Sequence, residues 1–168
     1  MAEPTIRPAT SDDIARLHPV VERAYRGDAA RAGWTHEADL VSGARTDAPT
    51  LHGLLSGDSR LLVALDGSTP IGCVNVAGRG GGLAYLGLLC VDPALQASGV
   101  GKALMRAAES TARDTFAADR IEMTVIERRI ELIAWYERHG YVRSGEIRPF
   151  PVPVEPPLTM AVLVKSLA

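Results

Sequence analysis

The stretch DPALQASGVGKALM, residues 92–105, holds the residues whose spacing most clearly suggests chemistry. SGVGK reads as a Gly-rich turn running into a helix, with Lys102 at the junction. A helix start offers free backbone N–H groups and a partial positive charge of roughly half a unit, so this turn suits a phosphate. Gly99 and Gly101 lack side chains and let an anion approach the backbone. The spacing excludes a triphosphatase loop. Aligned on Gly101-Lys102, Gln96 stands where the first glycine belongs and Ala103 where the magnesium-binding Ser or Thr belongs. The dinucleotide pattern GxGxxG fails as well, because Leu104 occupies the third glycine's place. Two readings remain: a pyrophosphate site that needs no magnesium, or a turn with only a structural role.

Other reactive residue types are sparse. Cys73 and Cys90 both lie in apolar, strand-like runs and read as buried reduced thiols. His18, His36, His52 and His139 show no metal-ligand spacing, so no metal is assigned. With 46% apolar and 23% charged residues and a net charge of −2, the 168-residue chain reads as a globular protein of one domain, residues 1–168. That charge balance recruits neither nucleic acid nor an acidic membrane surface. The start MAEPTIRPATSDD lacks the apolar core of a signal peptide, and runs such as LLVAL are strand-length, so a cytoplasmic location is expected.

The elements that position the loop follow from periodicity. TIRP reads as a strand, and Ile14, Leu17, Val20/Val21 and Ala24 make 12–25 an amphipathic helix. A second helix is expected over 35–42 and a short one over 50–56. RLLVALD and IGCVNVA, joined by GSTP, form a hairpin. LAYLGLLCV is apolar on both faces and reads as a central strand, ended by Asp92-Pro93. Residues 100–116 carry an apolar stripe rich in alanine and form the longest helix. Then come a strand at 120–126, a helix at 131–139 that stops at Gly140, a strand from YVRSGEI, a proline-rich segment at 149–157 and a final strand in LTMAVLVKSL. The strand–helix–strand unit 83–125 must be parallel, whereas the tight turns make the strands before it antiparallel. The expected fold is α/β (α+β): a mixed, mostly antiparallel sheet of six or seven strands, with helices on both faces.

Gln96-Ala97-Ser98-Gly99-Val100-Gly101 resembles the Gln/Arg-x-x-Gly-x-Gly/Ala motif of the GNAT superfamily, the acetyl-CoA-dependent N-acetyltransferases. LLCVDP resembles the strand end before that motif, and Ala134-Trp135-Tyr136-Glu137-Arg138-His139-Gly140-Tyr141 is similar to the family's LYEKxGF segment. The element order agrees over nearly the whole chain. Two positions depart: the family often has Gly where Ala97 stands and Asn where Arg129 stands.

The resemblance implies a cofactor site of Leu89, Cys90, Val91, Gln96, Ser98, Gly99, Val100, Gly101, Lys102 and Arg129. The pyrophosphate of acetyl-CoA would sit on the amides of residues 98–103, and the pantetheine arm would run along Leu89–Val91 like an added strand. It implies Tyr136 as the acid that protonates the departing thiolate; a phenol with pKa near about 10 suits that task. A core tyrosine at helical spacing from Leu132 is the plain alternative. Trp34, Glu37 and Arg45 are candidate contacts to the acceptor, with the proline-rich segment 149–157 as an opposite wall. Arg129 meets either the cofactor or an acidic acceptor. For a base, Glu37, Glu122, Glu127, Glu146 and His139 all stay open, as does a water chain. The implied activity is acetyl transfer to a primary amine of a small molecule or peptide, with a homodimer as a further expectation. A non-catalytic acyl-CoA sensor and an acyltransferase with another donor stay open.

Overall fold

A computed structural model describes residues 3–26 and 43–168 of the chain. The helix expected at 35–42, together with Trp34 and Glu37, lies outside the described residues. Within them the order is β1 (Thr5–Pro8), α1 (Ile14–Tyr25), α2 (Ala48–Gly53), β2 (Ser59–Asp66), β3 (Thr69–Gly80) and β4 (Leu83–Val91), followed by α3 (Val100–Phe116), β5 (Arg120–Ile126), α4 (Ile130–Glu137), β6 (Val142–Pro149) and β7 (Thr159–Ser166). The short helix α2 starts and ends earlier than expected, because Asp47 caps it by accepting a hydrogen bond from the Thr50 amide at 2.8 Å. Among the described residues no helix is long and apolar enough to cross a membrane.

The strands form one seven-stranded sheet in the order β1-β2-β3-β4-β5-β7-β6. Every neighbouring pair is antiparallel except β4 and β5, which are parallel, as the intervening helix requires. The two-residue period of β2 divides the core. Leu61, Val63 and Leu65 pack with Ile14, Leu17, Val20, Val21 and Ala24 of α1 on one face. Leu62 and Ala64 join Leu104, Met105, Ala108 and Ala112 of α3, and Ile133 and Tyr136 of α4, on the other. The alanines on α3 let it lie close to the sheet. Gly72 of β3 extends this close packing, since a Cβ there would come within 2.5 Å of the Cys90 carbonyl oxygen and 3.2 Å of Leu104.

The feature that matters for the site is where β4 leaves β5. Only Leu83, Ala84 and Tyr85 pair with Arg120, Ile121 and Glu122. Both strands then continue without each other, β4 to Val91 and β5 to Ile126. A bulge accompanies the parting: Cys73 faces Cys90 while Asn75 faces Gly87, so β4 carries an extra residue, and Leu88 takes a positive φ of 51°. The Tyr85 side chain reaches toward β5, its hydroxyl 2.6 Å from the Thr124 hydroxyl. A sheet strand that loses its partner exposes unpaired backbone groups along that edge.

The first helix is tied to the sheet by a buried carboxylate. Asp13 is 2% exposed and receives both Arg7 guanidinium nitrogens, at 2.8 and 3.0 Å, and the Thr10 amide at 2.7 Å. The Arg7 hydrogen bonds outweigh burial and lower its pKa to about 2. A depressed carboxylate stabilises the fold above the unfolded pKa of about 3.9, and that contribution is lost as pH falls toward 2. Asp13→Asn is therefore expected to cost about 2 kcal/mol at pH 7 and almost nothing near pH 2. Denaturant unfolding at the two pH values checks this; an equal cost at both would show that the charge is not the source.

Candidate active site

Two cavities open where β4 and β5 diverge. The smaller, about 260 Å³, lies toward the loop after β4. Leu89, Cys90 and Val91 line it from β4, Gln96, Ala97, Gly99, Gly101 and Lys102 from the loop and α3, and Arg129, Leu132, Trp135, Tyr136 and His139 from the α4 side. The larger, about 540 Å³, is bounded by Leu86–Leu89 of β4, Met123–Ile126 of β5, and Pro149, Phe150, Pro151 and Val152. Tyr25, Leu89, Arg129, Leu132 and Tyr136 line both, so the cavities meet along a common wall.

The loop offers fewer free amides than the sequence suggests. Asp92 caps the turn after β4, accepting from the Ala94 amide, and Ala97 and Gly99 take positive φ values of 70° and 92°. Gly99 is thereby the left-handed residue that starts α3, a conformation that favours glycine. The Ser98 amide bonds to the Leu95 carbonyl at 3.3 Å and the Ala103 amide to the Gly99 carbonyl at 3.1 Å. Two of the amides expected to meet a pyrophosphate are thus used internally. The amides of Gly99, Val100, Gly101 and Lys102 have no such bond among the described residues, as a helix start dictates. Among the described residues, a Cβ on Gly99 would meet nothing within 4 Å, so the space beside that residue is open.

Side chains in the loop have separate tasks. Ser98 turns its hydroxyl back to the Leu95 carbonyl, Val100 is buried in the core, and neither lines a cavity. The Gln96 amide nitrogen donates to the Val91 carbonyl at 3.3 Å, joining the loop to the end of β4. Cys90 and Cys73 are free thiols with sulfurs 3.6 Å apart, directly opposite on β4 and β3. The hydrogen bond with the Cys90 thiol, and then burial, push the Cys73 pKa up, which keeps it protonated.

Tyr136 is 5% exposed and belongs to the walls of both cavities. Its ring packs edge-on against Trp135 and Tyr141. Burial raises its pKa well above the ordinary phenol value, while the nearby Arg129 charge works against that rise. The hydroxyl remains protonated through the physiological range, as a proton donor must. Arg129 begins α4 and lies on the common wall, so it can reach a ligand in either cavity.

The candidate bases fare differently. Glu122 is ion-paired to Arg148 at 3.2 Å, Glu146 to the same arginine at 2.6 Å, and Glu127 accepts from the Thr159 hydroxyl at 3.1 Å. Among the described residues no carboxylate lines either cavity. His139 lines the smaller one, with Nδ1 2.7 Å from the Trp135 carbonyl oxygen; Nδ1 must therefore donate, which leaves Nε2 unprotonated in the neutral ring. Arg45 lines the larger cavity, as do residues 149–152 of the proline-rich segment expected to wall it.

Sequence reasoning missed Tyr25, whose hydroxyl donates to the Leu89 carbonyl at 2.5 Å and fixes α1 against the bulged part of β4. It also missed Arg26, Arg79 and Tyr85. Each is an ordinary residue in its own element and gains meaning only from the sheet's parting. The run Ala134–Tyr141 did carry a signal for Trp135, which sits beside Tyr136 in the matched segment.

Comparisons with known proteins agree with this fold. A model of the Acetyltransferase (GNAT) family matches residues 20–141. No curated protein matches in sequence. Among solved structures, the chain is similar in fold to the ribosomal-protein-S18-alanine N-acetyltransferase from Escherichia coli, with a TM-score of 0.77 and 15% identity over 99% of this chain and 95% of that one. It is similar to an acetyltransferase of the GNAT family from Streptococcus pneumoniae, with a TM-score of 0.73 and 20% identity over 99% and 100%. It is also similar to yncA from Salmonella typhimurium, solved with its cofactor acetyl-CoA, with a TM-score of 0.74 and 15% identity over 99% and 95%.

Gly99→Glu places a carboxylate on the wall of the smaller cavity, at the start of α3. It is expected to weaken acetyl-CoA binding at least ~10²-fold, because opposed like charges cost several kcal/mol. Calorimetric titration checks this, with thermal unfolding run alongside to separate the strain of a side chain at positive φ. Binding retained in a folded variant would remove the loop from the site.

Proposed function

The chain belongs to the Acetyltransferase (GNAT) family, and from that premise we propose that it transfers an acetyl group from acetyl-CoA to a primary amine of a small molecule or peptide, by direct attack. The observation that carries this reading is the pair of cavities meeting on the wall that contains Tyr136, in the gap between β4 and β5. One cavity ends at free helix amides suited to a pyrophosphate, and the other opens beside it for an acceptor.

The residues fit acetyl-CoA. The amides of Gly99–Lys102 and the Lys102 ammonium would hold its phosphates, and the unpaired edge of β4 at Leu89–Val91 would hold its amide-bearing arm as an added strand. When bound, acetyl-CoA supplies an activated acyl group. The protein's own part is to orient the thioester along β4, exclude water with Leu132, Trp135 and Tyr25, and provide a proton at the Tyr136 oxygen. The amine nitrogen bonds to the carbonyl carbon and the carbon–sulfur bond breaks. The thiolate takes the Tyr136 proton, and the surplus proton on nitrogen leaves to water, from which the phenol is restored. Arg129 stabilises the transient phenolate.

Tyr136→Phe is expected to lower kcat about 10²-fold while changing acetyl-CoA affinity by less than about threefold. Thiol release and calorimetry read the two quantities; unchanged turnover would remove Tyr136 from the chemistry. The raised phenol pKa also has a sign to check. An acid works only while protonated, so activity should rise with pH as the amine deprotonates and show no tyrosine-linked fall up to about pH 10. A fall near pH 9 that disappears in Tyr136→Phe would contradict the burial-driven shift.

A further inference from the structure

The wall of the larger cavity has a charge character unlike the rest of the protein. The chain carries a net charge of −2, yet five arginines, Arg26, Arg45, Arg79, Arg129 and Arg148, line this cavity, and among the described residues no carboxylate does. Arg148 is already engaged by Glu122 and Glu146 behind it. Arg45 and Arg79 are held differently. Each lies over a tyrosine ring, Arg45 over Tyr25 and Arg79 over Tyr85, both 5.0 Å from the ring centroid, and neither side chain makes an ion pair among the described residues.

Stacking on a ring fixes the plane of a guanidinium without using its N–H donors. The two rings are themselves fixed, Tyr25 through its hydroxyl to the Leu89 carbonyl and Tyr85 through its hydroxyl to Thr124. The result is a pair of oriented donor forks that no carboxylate among the described residues occupies, on the cavity proposed for the acceptor. A planar fork of this kind matches a carboxylate in two-point geometry. The same arrangement repels an acceptor whose only charges are ammonium groups.

We propose that the acceptor is a small amine that carries its own carboxylate, of the α-amino-acid type, and that the ring-stacked arginines of this cavity, Arg79 foremost, supply the site for that carboxylate. This rests on the acetyl-transfer reading and deepens it. A cavity of about 540 Å³ suits such a molecule.

The test uses matched acceptors that differ only in the carboxylate: free amino acids, their amides, dipeptides with a free carboxyl end, and linear polyamines. Thiol release from acetyl-CoA is expected to favour each acid over its amide by at least ~10-fold in kcat/KM, in line with a charge-assisted two-point contact. Arg79→Gln is expected to raise KM for the acids about tenfold, with kcat and the amides little changed. Because Arg79 is exposed, the variant should fold; Arg45→Gln provides an independent check. Amides or polyamines used as well as acids, or an Arg79→Gln loss equal for acid and amide, would overturn the proposal while leaving acetyl transfer intact. A preference for dipeptides over free amino acids would overturn the small-molecule class. If no acceptor turns over, calorimetry of the same pairs on the protein saturated with CoA decides. Selective binding of the acids would uphold the carboxylate site and remove the transfer reading; equal or absent binding would overturn the site.

Discussion

Both cavities of this molecule depend on β4 and β5 separating after three paired residues. A parallel pair inside a sheet normally continues, because each further residue satisfies another backbone donor and acceptor. Here the ladder stops at Tyr85 and Glu122, and three devices account for it. The bulge at Leu88 turns the end of β4. The Tyr85 side chain fills the first part of the gap and bonds to Thr124. Tyr25, from α1, holds the Leu89 carbonyl from outside the sheet. The cost of unpaired backbone at the centre of a sheet is tolerable only where water or a ligand completes the ladder, so the parting and the site are one feature.

The remaining elements are arranged around that gap. α3 packs its alanines against β3 and β4, which brings its open amides to the end of β4, beside the cavity. α4 crosses near the divergence and carries Tyr136 to the wall shared by both cavities. The segment after β6, stiffened by prolines, closes the side of the larger cavity opposite α1. Buried contacts elsewhere, such as Asp13 with Arg7 and Glu109 with Lys165 at 2.7 Å, keep the outer strands and helices fixed to the sheet so that the gap has walls of definite position.

Much of this was legible in the residue order. The apolar runs of β2 and β3 joined by GSTP, the alternation of β5, the alanine stripe of α3 and the Gly-rich turn before it each specify their structure locally, and the strand–helix–strand spacing requires one parallel pair. The motif pair around Gln96–Gly101 and Ala134–Tyr141 pointed to the same gap from two sides. The departure of β4 from β5 was not legible, because LAYLGLLCV reads as a strand buried on both faces throughout. Its half-buried residues Gly87, Leu88 and Leu89 are open only because the neighbour leaves. The arginines of the larger cavity were equally silent: Arg79 in a glycine-rich turn looks like a solvated charge until the tyrosine that holds it is seen across the bulge.

Amide hydrogen exchange with and without acetyl-CoA tests the central claim most directly. If the parted edge of β4 and the start of α3 form the cofactor site, adding acetyl-CoA should slow exchange at residues 86–91 and 99–102 by at least ~10-fold, as newly formed hydrogen bonds do, and leave β1, β2 and β6 unchanged. Exchange left unaltered at both segments, at acetyl-CoA concentrations that saturate binding, would contradict it.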